Sequence, residues 1–461
     1  MNKTYQIFVP EWVPLENKGE EAIIRGMGDV LFPDGNVEFH ILDMRAQKYR
    51  FIDSLHVYPG IWFYSKWRSQ EFGLGLSFHK LYASACSLLR NGLDYIAPEW
   101  VSIPQGPVRK TTKAMRRIRA GTVNDSEKSK ALKRILECDY LIAGHDGALN
   151  EYDCHVIDMM HKLGMPFGIF GTSMRPSVKS SAIINVFRKS LSNANFIYCR
   201  NQIGLNWATK HFPDLHIELA PDPAFGMVPS SKEKTYKLIE SEGLSEFFEK
   251  PVVMVAASEP APIARHCFSE IISSNEKINA HRDLLSELIR HIVSSHDVNV
   301  LFLPHAIGPG LYLDDRRVAR DVLLRAQLPN NRVRIIESEL SARDLKGLIR
   351  EAEMLVSERI HAMIGATGVH TPFCCLGSQT DTRVRGIIGN MLKLENVIYY
   401  LNIPREKELF IHFDKVWTRR LEIREHLEKV YVALECRLKE AGEQMRTKMG
   451  MKIAKPFESI R

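Results

Sequence analysis

Met354–Gly377 reads MLVSERIHAMIGATGVHTPFCCLG. Met354, Leu355 and Val356 form a short apolar run with the character of a buried strand. Ser357, Glu358, Arg359, Ile360 and His361 follow at once. Ala362, Met363, Ile364, Gly365 and Ala366 then predict a helix packed tightly on its neighbours, and Pro372 with Phe373–Leu376 predicts the next strand. Strand, turn, helix and strand make one unit of a parallel sheet. Arg359 and His361 fall where the strand ends and the helix begins, the position of the ligand crevice in an open α/β sheet. A helix N-terminus presents unbonded N–H groups and partial positive charge to an anion. The Arg359 guanidinium adds a planar fork matched to phosphate or carboxylate. Two plainer roles compete: Arg359 pairing with Glu358, and His361 capping the helix.

The same rhythm extends outward in both directions. Before the linker, strands are predicted at Tyr5–Val9, Val37–Leu42, Tyr140–Ala143, Phe167–Phe170, Phe196–Tyr198 and Ile217–Leu219, with Gln70–Tyr95 largely helical. After it they are predicted at Val252–Ala256, Asn299–Leu303, Arg332–Ile336, Met354–Val356, Phe373–Leu376 and Val397–Tyr400, with helices at Asp283–Ser294 and Ala342–Ala352. Pro229–Lys250 is polar and reads as the linker. Val416–Lys448 carries Trp417, Leu421, Leu427, Val430, Tyr431, Leu434, Leu438 and Met445 at helical spacing, predicting a long surface helix that packs across a domain or serves self-association. The expectation is an α/β protein of two doubly wound, Rossmann-type domains facing a cleft: residues 1–228, a linker at 229–250, residues 251–415, and a helix and tail at 416–461.

The 461 residues exceed one ordinary hydrophobic core, and 45% hydrophobic with 25% charged residues is the composition of a globular protein. The eight cysteines are scattered without a CxxC pair or metal spacing, which predicts buried thiols in a reducing compartment and no structural zinc. Neither a signal-type N-terminus nor an apolar run of spanning length is seen, so a cytoplasmic protein is expected. The net charge of +7 suits an anionic substrate. Arg109, Lys110, Lys113, Arg116, Arg117 and Arg119 form a basic run that reads as a solvated helix face or as a contact with anionic lipid at the inner membrane surface. No nucleic-acid-binding pattern accompanies it. GxGxxG after the first strand, HExxH, a P-loop and GxSxG are all missing, which disfavours a nicotinamide enzyme and a nucleophile-elbow hydrolase and requires no metal.

Several polar clusters fall at predicted strand ends. Asn17, Lys18, Gly19, Glu20 and Glu21 fill the first strand-to-helix loop, where Gly19 permits close approach and Glu20 is a cap or an acid/base group. His145 follows Gly144, with a ring suited to proton transfer near neutrality. Arg200 follows Cys199 and either binds an anion or pairs with Asp222. His305 follows Leu303 and Pro304 in the second half.

Taken in order, these elements resemble the polysaccharide pyruvyl transferase family over most of the chain. The elements are Asn17–Lys18–Gly19–Glu20–Glu21–Ala22, Cys199–Arg200, Pro221–Asp222–Pro223–Ala224–Phe225, Leu303–Pro304–His305, and Arg359–Ile360–His361 with Ala366 and Pro372 behind it. The chain departs from the family pattern at Gly144–His145–Asp146–Gly147, at Gly171–Thr172–Ser173–Met174–Arg175–Pro176 and at Leu376–Gly377–Ser378–Gln379–Thr380. The resemblance implies a GT-B-like fold and transfer of the pyruvyl group of phosphoenolpyruvate onto a sugar or lipid-linked glycan, forming a cyclic ketal. Phosphoenolpyruvate is then the donor substrate and no cofactor is expected. Arg359 and His361 would hold one of its anionic groups, Arg200 the other across the cleft, and His305 would complete the phosphate shell, with Asn17 and Gly19 in the binding loop. His145, Glu20 and Asp222 are the acid/base candidates, and the sequence does not choose among them. Arg359→Ala is expected to abolish donor binding and leave the fold intact. A nucleotide-sugar glycosyltransferase or epimerase on the same architecture, and a non-catalytic glycan-binding protein, are the competing readings.

Overall fold

The computed structural model describes residues 3–43, 46, 50–63, 106–122, 126–145, 149–174, 178–258, 263, 267–308 and 314–451. The helix expected over Gln70–Tyr95 lies outside them, as do Asp146–Gly147 and Arg175–Pro176.

The strands are β1 (Tyr5–Trp12), β2 (Val37–Asp43), β3 (Arg50–Ile52), β4 (Leu55–Pro59), β5 (Tyr140–Ala143), β6 (Phe167–Thr172), β7 (Ile197–Cys199) and β8 (Glu218–Leu219) in the first half. The second half has β9 (Val252–Ala256), β10 (Asn299–Phe302), β11 (Val333–Ile335), β12 (Met354–Ser357), β13 (Phe373–Gly377) and β14 (Ile398–Tyr400). The first eight form one sheet in the order β3-β4-β2-β1-β5-β6-β7-β8, and the last six a second in the order β11-β10-β9-β12-β13-β14. Every pairing is parallel except β3 with β4. Strands buried on both faces need no polar alternation, and VVMVA of β9 and FCCLG of β13 are buried throughout. β3 and β4 escaped the sequence reading because β3 is an exposed three-residue edge strand and the apolar residues of the short β4 are interrupted by His56.

In each sheet the chain starts at a central strand, moves one way, then returns to the other side. The reversal lies between β1 and β5 in the first sheet and between β9 and β12 in the second. Ligands of such sheets bind at the carboxyl ends of the strands at that reversal.

The two halves are packed against each other. The Lys18 N–H donates to the His305 carbonyl at 2.8 Å and the Ile307 N–H to the Glu16 carbonyl at 3.0 Å, so the loop after β1 pairs directly with the loop after β10. Arg343 grips Asp29 through both terminal nitrogens at 2.8 and 2.7 Å. Lys346, fully enclosed, donates to the Phe225 and Met227 carbonyls at 3.2 and 2.5 Å, and burial pulls its ammonium down to about 7. Gly26 brings the Lys18–Leu31 helix onto the 3-10 turn Pro223–Gly226: a Cβ there would lie 2.0 Å from the Pro223 carbonyl oxygen.

The segment read as a linker contains the helix Lys232–Ser241, which buries Thr235 and Ile239. The pattern read as one C-terminal helix is two, Glu406–Thr418 and Arg420–Lys448. The longer buries Ile423, Leu427, Leu434, Leu438, Ala441, Gly442 and Met445, while Leu421, assigned to the buried stripe from its spacing, is exposed. Arg446 donates to the Val30 carbonyl and Tyr198 to Gln444, so this helix straps the second half to the first. Six of the described cysteines are buried and Cys436 is exposed. No described helix is long and apolar enough to cross a membrane.

Candidate active site

Both reversal points open onto the same place. From the first sheet come Asn17, Gly19 and Glu20 after β1, and Gly144 and His145 after β5. From the second come Ser258 after β9, and Glu358, Arg359 and His361 after β12.

Asn17 is the N-cap of the Lys18–Leu31 helix, its Oδ1 accepting the Gly19 N–H at 3.1 Å. Gly19 has no side chain, and that lets the His361 ring rest on it. A Cβ at Gly19 would lie 2.3 Å from His361 Nδ1. Gly19→Ala is therefore expected to push the imidazole aside and lower kcat/KM at least tenfold while the circular-dichroism spectrum stays unchanged. An unaltered kcat/KM would show that the ring position does not matter.

Arg359 does not pair with Glu358. Its Nε lies 3.2 Å from Asp315 Oδ2 and a terminal nitrogen contacts Oδ1. Asp315 Oδ2 also accepts the N–H groups of His305 and Ala306 at 3.0 and 2.8 Å. The guanidinium is 16% exposed and Asp315 is buried. Removing Arg359 would take the guanidinium from this buried carboxylate, so Arg359→Ala is expected to lower stability together with any donor binding. Glu358 is engaged elsewhere, accepting the Ser258 N–H at 2.6 Å and lying 2.6 Å from His281 Nε2.

Arg200 resolves to the second of its two expected roles. It is 1% exposed, donates to Asp222 Oδ2 at 2.7 Å and to Ser173 Oγ at 3.0 Å, and does not face open space. Its assignment as a direct anion ligand is corrected to a buried charge behind the site. Asp222, fully buried, also accepts the Ala224 N–H at 2.9 Å. Burial raises its carboxyl above the ordinary range, opposed by Arg200 and that N–H. Enclosed in this way it has no route to a sugar hydroxyl, so its place among the acid/base candidates is corrected to that of a positioning carboxylate.

His145 is likewise enclosed. Its Nε2 donates to the Trp12 carbonyl at 2.7 Å, and Nδ1 lies 3.4 Å from Glu11 Oε2. Glu11, itself buried, accepts the Gly144 N–H. With no exposed surface the His145 ring stands behind the cleft, so its place among the acid/base candidates is corrected to that of a ring backing Glu20. It stands 3.6 Å from Glu20 Oε2, and Glu20, with 13% of its side chain exposed, is the candidate left at the cleft. His305 is buried, its Nδ1 lying 3.2 Å from the Leu303 carbonyl oxygen, and burial pulls its pKa down to about 4.

His361 is the centre of the arrangement. Its Nε2 lies 3.8 Å from Asp222 Oδ2, beyond hydrogen-bond reach, and makes no hydrogen bond among the described residues. Burial lowers its pKa well below 6.5, and the charges of Arg200, Arg383, His305 and Arg359 act in the same direction. A neutral imidazole ringed by guanidinium groups is a site that favours an anion. The guanidinium groups at 200 and 359 hold different aspartates but bear on this one ring.

Arg383 was not anticipated from the sequence, and neither was Asp315. Arg383 stands past β13 as Arg359 stands past β12, a repetition legible in the sequence once the strand end at Gly377 is fixed. It grips Asp381 at 3.1 and 2.8 Å and feels the charges of Glu20 and Arg359. With Ser258, Glu358, Ser378, Thr380 and Asp381 it lines a cavity of about 370 Å³ at the ends of β9, β12 and β13. The basic run forms the helix Gly106–Arg119, whose Arg109, Lys113 and Arg116 line a separate cavity of about 560 Å³ with Lys162 and Lys189.

The depressed histidines set a pH dependence. An unfolded histidine takes a proton near 6.5, whereas folded His305 refuses it until about 4, His40 until about 3, and His361 is lowered too. Below pH 6.5 the unfolded chain binds more protons than the folded one. The stability from these rings is thus complete above pH 6.5 and falls as pH drops toward 4. Urea midpoints are expected to decrease from pH 7 to pH 5. Midpoints that hold constant or rise over that range would contradict the burial of these rings.

A family model described as polysaccharide pyruvyl transferase matches residues 17–380. Among solved structures, the α,α-trehalose-phosphate synthase (UDP-forming) of Burkholderia vietnamiensis is 8% identical with a TM-score of 0.52, over 97% of this chain and 98% of that one. The S. aureus MnaA–UDP co-structure is 8% identical with a TM-score of 0.53, over 98% of this chain and 99% of that one. At such identities the likeness is one of fold, two parallel-sheet domains of the GT-B kind. No curated relative matches.

Proposed function

The chain belongs to the polysaccharide pyruvyl transferase family, and from that premise we propose that it transfers the pyruvyl group of phosphoenolpyruvate to a sugar or glycan, closing a cyclic ketal across two hydroxyls during assembly of a cell-surface polysaccharide. The observation that carries this reading is the neutral imidazole of His361, ringed by Arg359, Arg383 and Arg200 where the two sheets reverse. Phosphoenolpyruvate brings a phosphate and a carboxylate, and Arg359 and Arg383 are two separate guanidinium groups to receive them. Each keeps an aspartate partner, so the pocket is pre-set and not collapsed when empty.

The reaction moves three protons. The methylene carbon of the donor takes one, from His361, whose basicity rises once a phosphate sits beside it. The first sugar hydroxyl bonds to C2 and gives its proton to Glu20. The C2–phosphate bond then breaks and inorganic phosphate leaves. The second hydroxyl closes the ring, and its proton goes to phosphate. Proton transfer by positioned groups contributes about 10²–10⁴-fold. The basic cavity beside the Gly106–Arg119 helix supports an acceptor presented at an anionic lipid surface.

Incubation with phosphoenolpyruvate and a panel of sugar acceptors tests the reading. Inorganic phosphate should appear together with a matching mass gain on the glycan. Thermal stabilisation by phosphoenolpyruvate should approach about 2.7 kcal/mol at a hundredfold excess over Kd. Stabilisation by UDP-sugars alone would instead place the chain with the nucleotide-sugar enzymes, and no response to either would leave a glycan-binding protein.

A further inference from the structure

Far from the cleft, the helix Ser274–Ser295 ends beside the helix Glu406–Thr418. His291 and the C-cap residue His296 come from the first, Asp414 from the second. His291 Nε2 lies 2.9 and 3.0 Å from the two Asp414 oxygens, and His296 Nε2 lies 3.0 Å from Oδ1. The three ligand atoms are mutually within 4.8 Å. The rings are held in place. Phe410 stacks on His291 with centroids 4.5 Å apart, Trp417 lies 4.8 Å from His296, and the two imidazoles stand at 88°.

We propose that His291, His296 and Asp414 form a zinc-binding site that clamps these two helices together. Two imidazole nitrogens and a carboxylate oxygen suit Zn²⁺, with water as a fourth ligand. Tetrahedral ligands about 2.0–2.1 Å from the ion stand about 3.3 Å apart, so each histidine–carboxylate pair opens by a few tenths of an ångström while the two imidazole nitrogens, no more than 4.8 Å apart, close toward that separation. The histidines are 19% and 17% exposed and Asp414 is 43% exposed, which leaves an ion a way in. On binding, the imidazole proton moves from Nε2 to Nδ1. At His291 the Ser295 Oγ, 3.3 Å away, is there to accept it. The plain alternative is a carboxylate shared by two histidine N–H donors with no affinity for metal. A metal clamp would root the Arg420–Lys448 strap, which reaches Val30 and Gln444's partner Tyr198 in the first half. The inference does not rest on the pyruvyl transfer reading.

The untagged full chain, stripped with a chelator, is titrated with ZnCl₂ against a chromophoric chelator. One zinc per chain is expected, with affinity at least tenfold lower in His291→Ala and His296→Ala and unchanged in His216→Ala, which removes an exposed histidine elsewhere. A second arm leaves the ligands intact: Cu²⁺ bound at the site should quench Trp417, and Trp417→Phe should remove most of that quench. Zinc uptake that is absent, or equal in the ligand variants and the wild type, overturns the proposal. So does quenching that survives Trp417→Phe.

Discussion

Asp222→Ala is expected to cost about 3–5 kcal/mol of folding stability, because it removes the buried carboxylate that pairs with the buried Arg200 guanidinium. Arg200 is among the largest fully buried side chains, and it also donates to the Ser173 hydroxyl. The same carboxylate holds the Ala224 N–H at the start of the turn on which Gly26 rests, so its loss also loosens the seat of the Lys18–Leu31 helix. Urea unfolding followed by tryptophan fluorescence should show a midpoint well below wild type. Asp222→Asn, which keeps the shape and the acceptor for Ala224, should fall between the two. An Asp222→Ala variant as stable as wild type would mean that Arg200 finds water, and that the region is more open than its burial indicates.

His361→Asn is expected to do the reverse, keeping the fold and losing turnover by about 10²–10⁴-fold. The ring makes no hydrogen bond through Nε2 among the described residues, and its nearest carboxylate is 3.8 Å away. Little stability is therefore invested in it, while every guanidinium in the site bears on it. Replacement should also flatten the acid limb of the kcat profile if His361 is the proposed acid. Single-turnover phosphate release with a productive acceptor measures the rate. A variant turning over within threefold of wild type would remove His361 from the chemistry and leave Glu20 as the sole proton carrier.

The two variants separate two uses of charge in one small volume. The Arg200–Asp222 pair is sealed and acts at a distance, setting the field at His361. Arg359 and Arg383 are paired with Asp315 and Asp381 but are not sealed, with 16% and 39% of their side chains exposed. Corresponding variants at Arg359 mix both effects, which makes them weaker tests of donor binding than a conservative Arg359→Lys.

Apolar patterning was enough to place the two parallel sheets and their strand ends. Unbroken apolar runs such as VVMVA and MLVS have only one comfortable place, the interior of a sheet covered on both faces. Strand ends locate the crevice without further help, and that is why the positions of Gly19, Glu20, Arg359 and His361 beside it were legible. Exposure and partnership were not, because they depend on contacts between residues far apart along the chain. Whether Arg200 met a ligand or Asp222 turned on a wall closing over it, and whether Arg359 met Glu358 or Asp315 turned on how the Asp315–Ala326 helix enters. His145 looks the same in sequence whether a cleft or the Trp12 carbonyl faces it, and only the tertiary structure seals it away. Local patterning fixes where side chains start, and the packing of one half on the other decides which of them still meet a substrate.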